Sequence, residues 1–563
     1  MPTLSQAIYL ALLGLSSISK VKADWQFKSR PDLAPPKLNI TIPATKGVEP
    51  GYLFIAPFSG YPDGTRHGPL QAAPYIFTGT GDLIWSGFTY FSIWATNFQA
   101  AKYKGKDVLF SFEGSHNAAY GHGHGHTTFL NQHYETIKEL RAGNHRLTDK
   151  HEFHIIDEKT ALIQIYHPIP YDLTPYGGSP EQQWIVDARF QELDIETGKV
   201  LFEWSSLDHV DPEGMSNRSL PGPSQISKLR TEAYLPLNPG QAGSGYNSSD
   251  AWDYFHINSV DKDLEGSYLI SARDANAIYK INGTSGNLIW RLGGKHSNFT
   301  LGEQVEFSFQ HHARYLSRNG QKEVISLYDN SAHGTENGGG HEVHLYPYSR
   351  GKIVEVNTES WEAKIVQAFH PPDNLLSKSQ GSTQVLPGGN VLVNWGSSGA
   401  LTEFLPNGTA IFHTYFDSGA LGVGVENYRG FRFNWTGLPY EAPAIVSLKN
   451  ETSTSVYVSW NGDTETKTWS FYGSTRGGKV TFLGEKKRTS FETVFVVHDE
   501  LEIVKAEAVG KHGRVLASTD VVKPKPEVQQ FQAEVENKEE QEGDGRWEGF
   551  LRMGWGFLRN QEL

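Results

Sequence analysis

Histidine dominates the reactive side chains of this sequence, with 22 imidazoles and no cysteine. Gly121-His-Gly-His-Gly-His126 sets three of them at alternate positions. An extended strand would turn all three to one face, close enough together to hold a divalent metal. The same run reads equally well as a flexible polar loop, because alternating glycines resist a defined strand. His341-Glu-Val-His344 pairs two more imidazoles, but without a helix the zincin pattern is not met. No tightly bound metal is expected. The lack of cysteine removes thiolate nucleophiles and thiolate metal sites. No Gly-x-Ser-x-Gly elbow lies on a strand-to-helix turn, and no dinucleotide or phosphate-loop fingerprint occurs, so no cofactor is expected. Paired carboxylates for glycoside cleavage stay open, since acidic residues are plentiful and their separation in space is not written in the sequence.

Composition narrows the partners. The 563 residues carry a formal net charge of −13, which argues against nucleic acid, because phosphate binding relies on clustered Lys and Arg. Residues 1–23 hold an apolar stretch, Ile8 to Leu15, and end in Val21-Lys22-Ala23, the small-residue pattern of a cleaved signal peptide. The stretch is shorter than a membrane span and is broken by Gly14, Ser16 and Ser17; no later segment is long and apolar enough to insert. Eight Asn-x-Ser/Thr sequons follow, at Asn39, Asn217, Asn247, Asn282, Asn298, Asn407, Asn434 and Asn450. A secreted glycoprotein is therefore expected, one that without disulfides must draw its stability from a large core and closed sheets.

The elements that would position the histidines are short strands. Apolar runs are brief and bounded by Gly, Asn, Asp and Pro, and helical periodicity is nearly absent. One turn recurs: Thr80-Gly-Asp-Leu-Ile-Trp85, Thr197-Gly-Lys-Val-Leu-Phe-Glu-Trp204 and Ser285-Gly-Asn-Leu-Ile-Trp290, with looser copies at Thr358 to Trp361 and Asn407 to Phe412. Each reads as a tight turn feeding a strand that ends on an aromatic, and each follows another strand, which makes a hairpin. With the strands upstream, units of four arise, and about six fit between residues 50 and 435, the size of propeller blades. A large β-sandwich is the alternative, though it needs no such recurring turn. Tyr52-Leu-Phe-Ile55 is placed to pair with the last blade.

The expected fold is all-β: a six-bladed β-propeller over 24–440 and then a small β-sandwich over 441–522. The sandwich is read from alternating strands such as Ser455-Val-Tyr-Val-Ser-Trp460 and Thr493-Val-Phe-Val-Val497. Residues 523–563 form an acidic tail expected to be disordered, ending in the aromatic stretch Trp547 to Arg559.

Several stretches resemble the arylsulfotransferase family, and especially its secreted fungal branch. They are His151-Glu-Phe-His-Ile155, Asp253-Tyr-Phe-His-Ile-Asn-Ser259, Phe309-Gln-His-His-Ala-Arg314, Leu327-Tyr-Asp-Asn330, Ser349-Arg-Gly351 and Gly389-Asn-Val-Leu-Val393. The resemblance implies a site in the central funnel of a six-bladed propeller. Its bacterial members move a sulfuryl group from a phenolic sulfate to another phenol with neither a nucleotide-sulfate donor nor a metal.

Sulfuryl transfer needs a nucleophile that can also leave, and fixed donors around the sulfonate oxygens; imidazole suits the first, His or Arg the second. His256 and His311 resemble family active-site histidines, with Asn258 as an orienting amide. Alternatively, both simply satisfy backbone groups where inner strands begin. In bacterial relatives the Asp329-Asn330 turn leads to an arginine; here it leads to His333, a cation only when protonated, and Arg350 is a second candidate cation. The sulfated histidine of bacterial relatives has no counterpart in Leu375 to Ser382, so either His311 or His312 takes over or the mechanism differs.

Three functions follow: an enzyme acting on phenolic or aromatic small molecules by sulfuryl transfer; a non-catalytic secreted propeller that binds a protein or glycan; or a fungal secondary-metabolite tailoring enzyme in which the same histidines act as acid and base.

Overall fold

The computed structural model describes residues 24–59, 69–91, 94–117, 121–210, 212, 243–333, 343–416 and 425–527. The expected signal peptide, His341, Asn217 and the tail from 528 onward lie outside them. The described chain is all-β, with only single turns of 3-10 helix. None of its helices is long and apolar enough to cross a membrane. It divides into two compact units, one built from 32–440 with short pieces at 24–26 and 462–464, the other from 27–31, 441–461 and 465–527.

Among its described residues the larger unit holds six sheets of four or five strands, mostly in chain order and antiparallel except where Thr300–Leu301 runs parallel to Glu362–Phe369. The second runs Trp94–Tyr103, Lys106–His116, Gly123–Leu130, Thr136–Leu140, and the third Phe153–Ile156, Thr160–Pro170, Trp184–Asp194, Val200–Ser205. The fourth runs Ile257–Lys262, Tyr268–Ala272, Ala277–Ile281, Leu288–Gly293. His311–Asn319 leads the fifth and Ser382–Val385 the sixth. The first sheet is assembled from both ends of the unit: Phe431–Phe433 pairs with Tyr52–Ile55, which continues to Tyr75–Phe77 and Leu83–Ser86.

The recurring turns have a physical cause. Gly81, Gly198, Gly286 and Gly408 sit at φ 83°, 70°, 75° and 86°, the left-handed region that favours glycine at a hairpin. The tryptophans that follow, Trp85, Trp204 and Trp290, are at most 1% exposed. Trp204 also donates its indole N–H to the carbonyl of Gly286 in the next sheet's turn, at 3.0 Å. Successive sheets face one another through apolar layers. Phe110, Phe129 and Phe153 join the second to the third, Phe190, Trp204 and Tyr268 the third to the fourth, and Tyr328, Val393 and Trp395 the fifth to the sixth.

The smaller unit has two four-stranded sheets. Ala444–Lys449 and Thr454–Ser459 lie in one, Thr468–Ser474 and Ile503–Val509 in the other. Val456, Trp460, Trp469 and Phe471 belong to one buried cluster. Lys525–Pro526 still pairs with Leu448 and Lys449.

From Gly123 onward the glycine-histidine run is a strand, not a flexible loop. Gly123–Leu130 pairs with Lys106–His116 residue for residue, and the glycines are what permit it: a Cβ on Gly125 would lie 2.0 Å from the Glu113 carbonyl oxygen.

Candidate functional site

The segments that lead into the first strands of successive sheets carry polar residues that meet. Lys150, His151 and Glu152 precede Phe153; Asp253 and His256 precede Ile257; Gln380 precedes Ser382; Tyr428 and Arg429 precede Phe431.

At the fourth sheet the chain turns through His256 at φ 55°. The turn is held by Asp253, whose Oδ1 accepts the His256 backbone N–H at 3.0 Å and whose Oδ2 accepts the ring Nδ1–H at 2.7 Å. A carboxylate only accepts, so this contact puts a proton on Nδ1. His122 Nε2 donates to the same Oδ2 at 2.9 Å, and its ring stacks on Tyr166 at 3.9 Å. Burial alone would raise the Asp253 pKa, but His256 and His122 pull it below the ordinary carboxylate range.

The third sheet repeats the device. Asp149 Oδ1 accepts the His151 backbone N–H at 2.8 Å and its Nδ1–H at 2.5 Å, leaving Nε2 bare. The His151 and His256 rings stand edge to face, centroids 4.9 Å apart at 86°. Burial, and then Lys150, hold His151 neutral with its pKa well below the usual histidine value. Burial raises that of Asp149.

His311 joins this side of the site, its ring 6.5 Å from that of Tyr428. Both its nitrogens are engaged. Nδ1–H donates to Asn330 Oδ1 at 2.7 Å, and Nε2 accepts the Gln380 backbone N–H at 3.3 Å. Asn330 Nδ2 in turn donates to the carbonyls of Ser377 and Gln380, both at 3.0 Å. The stretch without a histidine thus touches the site through its backbone. Burial, then Arg273, push the His311 pKa well down. Tyr428 lies among these groups, its ring 5.4 Å from that of His151 and 5.4 Å from Lys150 Nζ. Arg273 pairs with Asp274 at 2.9 Å, and its backbone N–H donates to the His256 carbonyl. Below the histidines, buried Glu152 binds Arg314 at 2.8 Å and Arg429 at 2.9 Å.

The other expected residues sit elsewhere. His312 turns away from His311, to the Thr383 carbonyl at 3.2 Å and the Phe431 ring. Asn258 donates to the Gln310 carbonyl at 2.7 Å, so it orients backbone; the amide that orients an imidazole is Asn330. Arg350 is 2% exposed, stacked 3.8 Å over Tyr346 and bonded to Asp329. His333 pairs through its backbone with Val343, and its side chain lies outside the described atoms. The three imidazoles of the glycine run do not converge: His122 turns to Asp253, His126 to Glu113 at 3.1 Å, and His124 is exposed.

Sequence reasoning passed over Asp253, Asp149, Tyr428 and Arg273, and weighed His122 only as one of the three imidazoles of the glycine run. The one legible signal was a carboxylate two or three residues before a histidine, as in Asp149-Lys-His151 and Asp253-Tyr-Phe-His256. Together the groups offer one neutral imidazole with a bare Nε2, that of His151, a second, His256, held at Nδ1 by a carboxylate, two nearby cations and a buried phenol, a set suited to nucleophilic or acid–base chemistry on an anionic aromatic.

No curated protein matches the sequence. Among solved structures, a Bacteroides caccae protein of unknown function is 10% identical, covering 68% of this chain and 98% of that one at a TM-score of 0.33. A Bombyx mori GH32 β-fructofuranosidase is 10% identical over 77% of this chain and 87% of its own, with a TM-score of 0.27. A Bacillus licheniformis GH43 protein is 8% identical over 76% and 89%, also at 0.27. Overlaps at these scores say nothing of chemistry. The informative match is to the arylsulfotransferase (ASST) family, over residues 99–417. Because it runs from the second sheet through the sixth and takes in His122, His151, His256 and His311, this chain belongs to the arylsulfotransferase (ASST) family.

Proposed function

We propose that the protein is a secreted enzyme that moves a sulfuryl group between phenolic or other aromatic small molecules, with His256 as the nucleophile. The observation that carries this reading is the Asp253 carboxylate on His256 Nδ1 at 2.7 Å, which leaves Nε2 as the nitrogen to attack; the cations of the cluster are Lys150, 5.4 Å from the Tyr428 ring, and Arg273, whose charge acts on His311. In the first half-reaction Nε2 attacks sulfur, the sulfur–aryl oxygen bond breaks, and the phenolate leaves. In the second, an acceptor phenol attacks the same sulfur, the nitrogen–sulfur bond breaks, and the phenol's proton passes to the bare Nε2 of His151. The cations stand by to balance charge on the sulfonate oxygens. His311, tied at both nitrogens, positions the Gln380 backbone in this scheme.

The same reading takes the six sheets as blades of a closed propeller, supported by the Tyr52–Ile55 pairing with Phe431–Phe433, and the two C-terminal sheets as a sandwich. Secretion and glycosylation are supported by exposure of the sequon residues Asn39, Asn247, Asn298, Asn407, Asn434 and Asn450.

The test is incubation with excess 4-nitrophenyl sulfate, with and without a phenol acceptor. A sulfonate adduct on His256, nitrophenol release that depends on acceptor, and loss of both in His256→Ala are expected. Neither adduct nor nitrophenol would overturn it. A second reading, isomerisation or cyclisation by proton transfer, is favoured by one observation: His151 and His256 are both carboxylate-held and face each other at 4.9 Å.

A further inference from the structure

We propose that His122, Asp253 and His256 form a binding site for a divalent transition-metal ion of the zinc class, and that the ion switches His256 off as a nucleophile. The second half of this statement rests on the function proposed above; the first does not.

One ligand atom from each of the three residues lies within 4.8 Å of the others. The set comprises two imidazole nitrogens and one carboxylate oxygen, the donors that zinc, copper and nickel ions prefer. His122 Nε2 and His256 Nδ1 already aim at one oxygen, at 2.9 and 2.7 Å. With bonds of about 2.0–2.1 Å, ligand atoms on a tetrahedral ion stand about 3.3 Å apart, so the two imidazole–carboxylate distances need open slightly while the two imidazole nitrogens, within 4.8 Å of each other, draw together. Its members are held from outside: the His122 ring by Tyr166, and Asp253 by the His256 backbone N–H on its other oxygen. The side chains are 17%, 13% and 8% exposed, enough for an ion to enter and too little for freely solvated groups.

An ion on Nδ1 takes the lone pair of that nitrogen, and the ring proton moves to Nε2. The atom proposed to attack sulfur then becomes an N–H. Metal and sulfuryl group therefore compete for one imidazole through its two nitrogens.

The experiment uses the full-length protein stripped with a chelator and titrated with zinc chloride by calorimetry, with copper(II) paramagnetic resonance as a second readout. One ion per chain and coupling to two imidazole nitrogens are expected. His122→Ala and Asp253→Asn, each checked for retained circular dichroism, are expected to weaken binding by at least about 100-fold, more than loss of an outer-shell partner does. His126→Ala, beside Glu113, is expected to leave it unchanged. No ion bound, binding that survives both site variants, or binding lost with His126 overturns the site. If the site binds metal, zinc is expected to suppress nitrophenol release from 4-nitrophenyl sulfate in the wild type; release untouched by saturating zinc overturns the switch. Absence of any release without zinc counts against the proposed reaction alone, and the calorimetric result still decides the metal site.

Discussion

Asp253 grips His256 twice, by the backbone N–H at 3.0 Å and by the ring Nδ1 at 2.7 Å. One carboxylate therefore holds the left-handed turn that brings the imidazole into the site and decides which of its nitrogens carries the proton. His151 is held by Asp149 in the same way, two residues away instead of three.

Asp253→Asn keeps the shape of the side chain and loses its ability to fix the tautomer. An amide can donate to Nδ1, which moves the proton to Nε2. The expected outcome is a fall in kcat of at least about 100-fold with KM little changed, in line with the effect of the wrong tautomer in other histidine-dependent enzymes. Steady-state nitrophenol release checks it, and an unchanged kcat would remove Asp253 from the mechanism.

Buried and half-buried histidines are held neutral. His116 is pushed down to about 2 by burial and then Lys150, and His151, His311 and His312 lie well below the usual value, burial again being the main cause. In the unfolded chain they take up a proton near the ordinary 6.5, so the stability they confer is complete above that pH and is lost as pH falls below it. Each is expected to steepen the loss by about 1.4 kcal/mol per pH unit. His312→Gln, which lies away from the other imidazoles, should flatten the dependence by that amount between pH 6 and 5, as measured by denaturant unfolding.

Glu152 is buried between Arg314 and Arg429. Burial alone would raise its pKa, but the two guanidiniums hold it below the ordinary 4.5. Its contribution is present above 4.5 and is lost as pH falls through the depressed folded value. Glu152→Gln leaves buried Arg429 and half-buried Arg314 without their anion, and a cost of about 3–5 kcal/mol is expected. A large fall in melting temperature at neutral pH, narrowing in acid, is the signature to look for.

Gly125→Ala would press a methyl group against the Glu113 carbonyl oxygen. The strands Lys106–His116 and Gly123–Leu130 would have to part, at a cost of about 1–3 kcal/mol. Chemical unfolding would register it; an unaltered midpoint would mean the sheet gives way freely at this point.

Local chemistry made much of this architecture legible before folding. A glycine that must turn left-handed, followed by a tryptophan that must be buried, marks its own place, and three such turns at Gly81, Gly198 and Gly286 revealed the hairpins. The family motifs likewise pointed to His256 and His311, because each sits a fixed short distance from the strand it introduces. Long-range pairings were a different matter. His122 and Asp253 are separated by 131 residues, Arg429 and Glu152 by 277, and neither spacing has a period that a sequence would display.

Residue types and their short-range order decided that the chain forms short strands, where they turn, and which imidazoles stand at strand entries. Tertiary structure decided what these imidazoles meet from afar. It brought His122 to the carboxylate that grips His256, occupied both nitrogens of His311, turned His312 away, and buried Arg350 against Tyr346 and Asp329. The physical reason is that a proton's position on a ring, and the fate of a charge, depend on whichever acceptor stands within about 3 Å, and in stacked sheets that neighbour comes from a distant part of the chain.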